Sequence, residues 1–298
     1  FTSTNDAFTI TELYASTTAN GSAVIGSLIW KDGATTIATT PFSGAFATTT
    51  GLSVSVPANS TKVIDAYLQL GAVGTPGAAA SGLNVQIALD GYKYRNSNGE
   101  ETTVNTDATN AFGNATYVYK TKPTISNVAL PSTTLIAGSQ TVAKFTVSAD
   151  SAGTIAWRVL KLSVSTSSPS GTLTLSNYAI YDSANESTAL ANVTVTASSS
   201  GATVVFTSSQ DQEVSGTKTY VVKADVAGTG IISGASVSHR IATGQSSYSA
   251  PDVYASVAGG SSFVWSDESE TPHSATASSW NGDYLVKNIP TDSQTLTK

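Results

Sequence analysis

His239 and His273 are the two histidines of this 298-residue chain, and neither has an acidic residue at the spacing of a catalytic motif. A serine hydrolase needs a hydroxyl held against an imidazole that a carboxylate holds in turn, and the strained G-x-S-x-G turn that often presents the serine is absent. No glycine-rich phosphate loop followed by Lys-Ser/Thr occurs. No carboxylate pair stands out for glycoside hydrolysis either. With no Cys in the chain, thiolate chemistry, disulfides and thiolate metal sites are excluded. Both histidines therefore read as polar surface or tail residues, and the chain reads as not an enzyme.

The polar run at residues 90–107 offers the best oxygen ligands. Asn96, Asn98, Glu100 and Asp107 are the candidate calcium ligands, since calcium takes clustered carboxylate and amide oxygens from a flexible loop. The EF-hand pattern fails, because Tyr94 stands two residues before Asn96. NSNG is more simply a hairpin turn, with Asn and Gly supplying positive φ. No metal or cofactor is expected, calcium being the one ion with candidate ligands.

The elements that position such residues are strands. Apolar residues make up 40% of the chain and charged residues 11%, so Ser, Thr, Asn and Gly carry the polarity. That composition favours strands over surface helices and predicts an all-β protein. A net charge of -6 without clustered Lys and Arg argues against nucleic acid. No apolar run is long enough for a membrane-spanning helix. The chain opens on Phe with no basic-then-apolar leader, so the expectation is a mature, processed, extracellular product. A type IV pilin would continue from such a Phe into a long apolar helix, and FTSTNDAFTITELYAS does not.

Alternation of apolar residues marks strands at residues 8–15 with a one-residue slip, 24–30, 42–46, 52–56, 63–70, 83–89 and 116–119. The second half repeats this order. GSAVIGSLIWKD (21–32) lies over GTLTLSNYAIYD (171–182) without a gap. TKVIDAYLQL (61–70) lies over TKTYVVKADV (217–226), bringing Ile64, Ala66, Leu68 and Leu70 onto Tyr220, Val222, Ala224 and Val226, one face of a strand. SGLNVQIA (81–88) matches SGASVSHRIA (233–242), and TYVYK (116–120) matches SFVWS (262–266). Two tandem Ig-like β-sandwich modules with an extended C-terminal tail are expected: 1–121, 122–270, and a tail at 271–298. Trp30, Trp157 and Trp265 fall within strands and read as core.

The first module lacks any counterpart to residues 122–150, KPTISNVALPSTTLIAGSQTVAKFTVSAD. A sandwich missing opening strands exposes apolar core and unpaired backbone. The tail stands where a third module's opening strands would come, so the expectation is that the tail of one copy completes module 1 of the next. Such a heterologous contact builds an open filament unless a ring closes. The donor residues expected at the interface are Trp280, Tyr284, Leu285, Val286 and Ile289, with Phe8 and Ile10 on the accepting side.

The tandem modules, with YVYKTKP and SFVWSDES followed by SSWNGDYLVKNIPTDSQ, resemble tandem Ig-like microbial cell-surface proteins of donor-strand pilus or S-layer type. That resemblance implies a structural, cell-surface homopolymer with no catalytic residues. An S-layer lattice protein, an adhesin or a carbohydrate-binding module are the alternatives. The partner is thus the chain itself, with glycans attached or bound; Asn20, Asn59, Asn114, Asn185 and Asn192 open N-x-S/T sequons.

Overall fold

The computed structural model describes residues 1–18, 25–74, 80–105, 112–198 and 201–298. Asn20, the start of GSAVIGSLIWKD, and Asp107 lie outside the described residues. The chain is all-β and divides into two compact units, Phe1–Tyr119 and Lys120–Lys298.

Unit 1 contains β1 (Phe8–Thr17), β2 (Ile25–Asp32), β3 (Thr35–Pro41), β4 (Phe46–Thr49), β5 (Val54–Val56), β6 (Asp65–Leu70), β7 (Leu83–Val85), β8 (Ile87–Asn96), β9 (Glu101–Asn105) and β10 (Thr116–Val118). One sheet has the order β4-β1-β8-β9, with β5 also on β1; a second has β3-β2-β6; β7 and β10 form a third, two-stranded pair. The first two sheets face each other, because Ile10 and Leu13 of β1 share one buried cluster with Leu28 and Trp30 of β2. Trp30 donates its indole N–H to Thr49 Oγ1 at 2.8 Å, which satisfies the one polar atom the ring carries inward. The slip read in β1 is a real pair of irregularities, between Ile10 and Glu12 and between Tyr14 and Ala15, where the register against β8 shifts.

Unit 2 contains β11 (Pro123–Asn127), β12 (Gly138–Ala149), β13 (Thr154–Ser167), β14 (Thr174–Asp182), β15 (Asn192–Ser198), β16 (Gly201–Ser215), β17 (Thr217–Ala227), β18 (Ser236–Arg240), the single-turn helix α1 (Tyr254–Val257), β19 (Phe263–Ser266), β20 (Trp280–Asn281) and β21 (Gln294–Thr297). One sheet runs β11-β12-β17-β14; the other runs β15-β16-β13-β18-β21, with β19 also on β13 and β20 on β19. Aromatic rings join the two sheets. Within one sheet Phe145 of β12 stacks on Tyr220 of β17 at 5.8 Å, and Trp157 of β13, in the other, meets Tyr220 edge-on at 5.3 Å. Trp157 and Trp265 are buried, as their positions in strands predict.

The repeat holds at the level of register. In unit 1, Ile25 pairs with Leu70, Ile29 with Tyr67, Trp30 with Ala66 and Lys31 with Asp65. In unit 2, their aligned counterparts pair in the same way: Leu175 with Val226, Ala179 with Lys223, Ile180 with Val222 and Tyr181 with Val221. Both ladders slip within one aligned residue of each other, after Ile25 and after Ser176, the counterpart of Gly26. A shared irregularity is harder to produce by chance than shared alternation, because a bulge marks one position of one strand.

Two expectations change. Residues 42–46 are not a strand: Ser43 and Phe46 bridge each other around Gly44, whose φ of +61° makes the turn. The chain instead extends at Thr35–Pro41, a threonine-rich stretch with little apolar alternation to reveal it. The tail is also not an extended appendage, since residues 271–298 lie within unit 2.

Candidate functional site

In unit 2, β17 is paired along both edges, to β14 on one side and to β12 on the other. Its counterpart β6 is paired to β2, and among the described residues to no other strand. The consequence shows in the side chains of the repeated face. Tyr220, Val222, Ala224 and Val226 are buried. Ile64 and Leu68 are half-buried and Ala66 is exposed. Leu70 is 44% exposed where Val226 is 1%. Tyr67 and Val63 on the other face are exposed too. An edge that shows unpaired N–H and C=O groups beside an uncovered apolar face is a template for another strand.

The open edge borders a groove of about 480 Å³, with Ala66, Leu68 and Leu70 on one bank and Val85, Ile87 and Thr116 on the other. Val85 and Ile87 belong to the segment matched with β18, and in unit 2 the strand lying against both β17 and β18 is β12. The groove therefore lies where β12 lies in unit 2.

The N-terminal residues fix where that place ends. Phe1 donates its ammonium N–H to Lys62 O at 2.8 Å, and Lys62 N–H donates to Phe1 O at 2.8 Å. Thr2 bridges Thr61, and Ser3 N–H donates to Ser60 O at 2.9 Å. In unit 2, Val147 pairs with Lys218 and Ser148 with Thr217, and Ala149 N–H donates to Gly216 O at 2.8 Å. Phe1 thus stands where Val147 stands.

The residues expected on the accepting side lie elsewhere. Ile10 is fully buried. β1, which carries it and Phe8, is paired to β4 and β5 on one edge and to β8 on the other, so it has no edge to offer. β6, by contrast, is paired on one edge only among the described residues.

The expected donor residues belong to unit 2's own structure. Trp280 is fully buried, and β20 pairs with β19 through Ser266 and Trp265. Val286 is buried, Leu285 and Ile289 are half-buried, and Tyr284 is 45% exposed. Asp283, also buried, accepts N–H groups from Gly244 at 2.6 Å and Ser262 at 3.1 Å. Lys287 covers the outer edge of β11, its carbonyl accepting from Ile125 N–H at 3.2 Å. β21 pairs with β18 and puts Leu296 into the core. In unit 1, residues 83–85, which the repeat matches with β18, pair with β10. The tail thus pairs with β18 and β19 of its own unit.

The titratable residues do structural work. His239, expected on the surface, is 1% exposed; its Nε2 lies 3.0 Å from Tyr178 Oη, and burial lowers its pKa to about 4. His273 does have an acidic partner: its Nδ1 is 3.1 Å from Asp211 Oδ2, on the carboxylate that also binds Arg158. The guanidinium of Arg158 lies 5.3 Å from the ring centres of both Tyr254 and Trp280. His273 Nε2 is buried and has no hydrogen-bond partner. At the proposed calcium loop, Asn96 Oδ1 accepts the backbone N–H groups of Asn98 at 3.0 Å and Glu100 at 2.9 Å. Asn96 Nδ2 donates to Glu100 Oε2 at 2.9 Å, and Gly99 takes φ +86°. These contacts hold a turn, and they occupy the amide oxygen a cation would use.

No family model matches the chain, and no curated protein matches it. Among solved structures, the chain is similar to the full-length major pilin RrgB from Streptococcus pneumoniae, at 13% identity and a TM-score of 0.19 over 78% of this chain. The chain spans 41% of that pilin's length.

Proposed function

We propose that the chain is a structural subunit of an extracellular, cell-surface filament, a homopolymer in which unit 1 of one copy takes a strand from the next. The observation that carries this reading is the free edge of β6, left open where β12 covers β17 in the same fold. A head-to-tail contact of this kind is heterologous and propagates. Donation by the tail, as read from the sequence, requires Trp280, Val286 and Leu296 to leave the core of unit 2. Exposing side chains of that size costs several kcal/mol each, on the order of 2–5 for a leucine or tryptophan. An S-layer lattice is the alternative built on the same contact.

Electron microscopy of the purified chain at high concentration tests the reading. Filaments are expected, and they should be lost in Val63→Lys/Leu70→Lys, which places charge on exposed positions of the open edge and face. Two-dimensional sheets would favour the lattice. Monomers at all concentrations would overturn both.

A further inference from the structure

Of the three arginines in the chain, two hold carboxylates: Arg95 meets Glu101 at 3.1 Å, and Arg158 binds Asp211. Arg240, on β18, differs. Among the described residues its guanidinium has no carboxylate, hydrogen-bond or aromatic partner. It lines a concave pocket of about 500 Å³ on unit 2. The chain carries 20 acidic residues against 14 basic ones, yet none of the described residues lining this pocket is a carboxylate.

The register shows how the pocket is built. Leu162 and Val164 of β13 are buried, so alternation turns Ser163 and Ser165 to the outer face of the sheet. Ser163 lies between Thr203 of β16 and Arg240 of β18, and Ser165 lies between Gly201 and Ser238. Residues directly opposite across strands share a face. Thr203, Ser163 and Arg240 therefore form one row, and Gly201, Ser165 and Ser238 the next. Ser293, just ahead of β21, joins the lining. With strands about 4.8 Å apart, the first row spans about 10 Å, enough for two linked sugar rings. Gly201 has no side chain, so its corner of the second row stays low.

The chemistry of the lining selects a ligand. Ser238 Oγ is held by Thr295 Oγ1 at 2.7 Å. The hydroxyls of Ser163, Ser165, Thr203 and Ser293 have no protein partner among the described residues. A hydroxyl both donates and accepts, so this floor pairs with the hydroxyls of a ligand. A guanidinium only donates, in a planar fork that fits a carboxylate with two bonds. A bare sulfate or phosphate would find one cation here, because the N–H groups of β13 are spent on its two neighbouring strands. An acidic peptide would bring apolar side chains to a face of serines and threonines.

We infer that this face of unit 2 binds an acidic saccharide. A sugar carboxylate takes the Arg240 fork, and ring hydroxyls pair with Ser163, Ser165 and Thr203. The inference goes beyond the subunit reading and does not rest on it, since the strand exchange proposed above concerns unit 1.

The test is calorimetric titration of the full chain at low salt with three probes that carry carboxylates on hydroxylated rings: trigalacturonate, a hyaluronan tetrasaccharide and sialyllactose. At least one is expected to bind, with an affinity that falls as salt rises. Arg240→Gln should weaken that binding by about tenfold or more. Arg240→Lys keeps the charge but loses the fork, and should weaken it less. Ser163→Ala/Thr203→Val should weaken it with Arg240 in place. Silence from all three probes at millimolar concentration would overturn the inference. Equal binding of neutral lactose would remove the carboxylate from it, and acetate or sulfate binding as tightly as the sugars would reduce the site to a bare anion site; either result overturns it. Unchanged binding in an Arg240→Gln chain with an unaltered melting curve would put the saccharide elsewhere and overturn the site. The filament reading is scored separately: Arg240→Gln should assemble as the unaltered chain does, and Val63→Lys/Leu70→Lys should still bind the probe.

Discussion

His239 is a residue whose chemistry separates the folded from the unfolded chain. Nothing in SVSHRIA marks it as buried, since histidine is common on surfaces and the alternation around it is of serines. The fold places it on β18, facing Tyr178 of β14 across the sandwich, with Nδ1 unpartnered. Burial lowers its pKa to about 4, while the unfolded chain titrates near 6.5. Between those two values the unfolded state binds the proton and the folded state does not, so stability falls as pH falls through that window. It is fully present above the unfolded pKa. The loss between pH 7 and pH 5 should be about 2 kcal/mol. Denaturant titrations of unit 2 at the two pH values check this, and His239→Gln, which cannot titrate, should flatten most of the difference. An unchanged slope in the variant would mean that carboxylates set the pH dependence.

Among the elements, the tail gives the clearest contrast between what a sequence shows and what a fold decides. Leu296→Ala should lower the stability of unit 2 by about 2–5 kcal/mol, because it empties a fully buried site on β21. Tyr284→Ala, 45% exposed, should stay within about 0.5 kcal/mol. Chemical denaturation read on the unit 2 transition distinguishes a tail built into its own unit from one held out for a neighbour. That placement was not legible beforehand, because β21 is short and its partner β18 lies far back in the chain. The long hairpin of β15 and β16 was also missed, its apolar residues being spread among Thr and Ser. Legible were the elements whose alternation repeats: β6 and β17 as one strand type, β2 and β14 as another, and the slip in β1. The place of the groove, beside β6 and not β1, needed the sheet order.

For the molecule as a whole, the two units should differ in how their stability responds to concentration. Unit 2 covers β17 on both edges and closes its own outer strands with the tail, whereas unit 1 leaves Ala66 and Leu70 exposed. Unit 1 should therefore unfold first on heating. Anything that binds the native form alone stabilises it by mass action, by roughly 1.4 kcal/mol for each tenfold rise in free ligand well above the dissociation constant. If a second copy fills the groove, the unit 1 transition should climb with protein concentration and the unit 2 transition should stay in place. The tryptophans make this measurable, since Trp30 lies in unit 1 and Trp157, Trp265 and Trp280 lie in unit 2. Comparing the native chain with Trp30→Phe isolates the first transition, and a Trp157→Phe/Trp265→Phe/Trp280→Phe background would report it alone if unit 2 still folds. A concentration-independent first transition would mean that unit 1 is stable with its edge bare, and the open groove would then be a tolerated gap in the repeat instead of a place for a neighbour's strand.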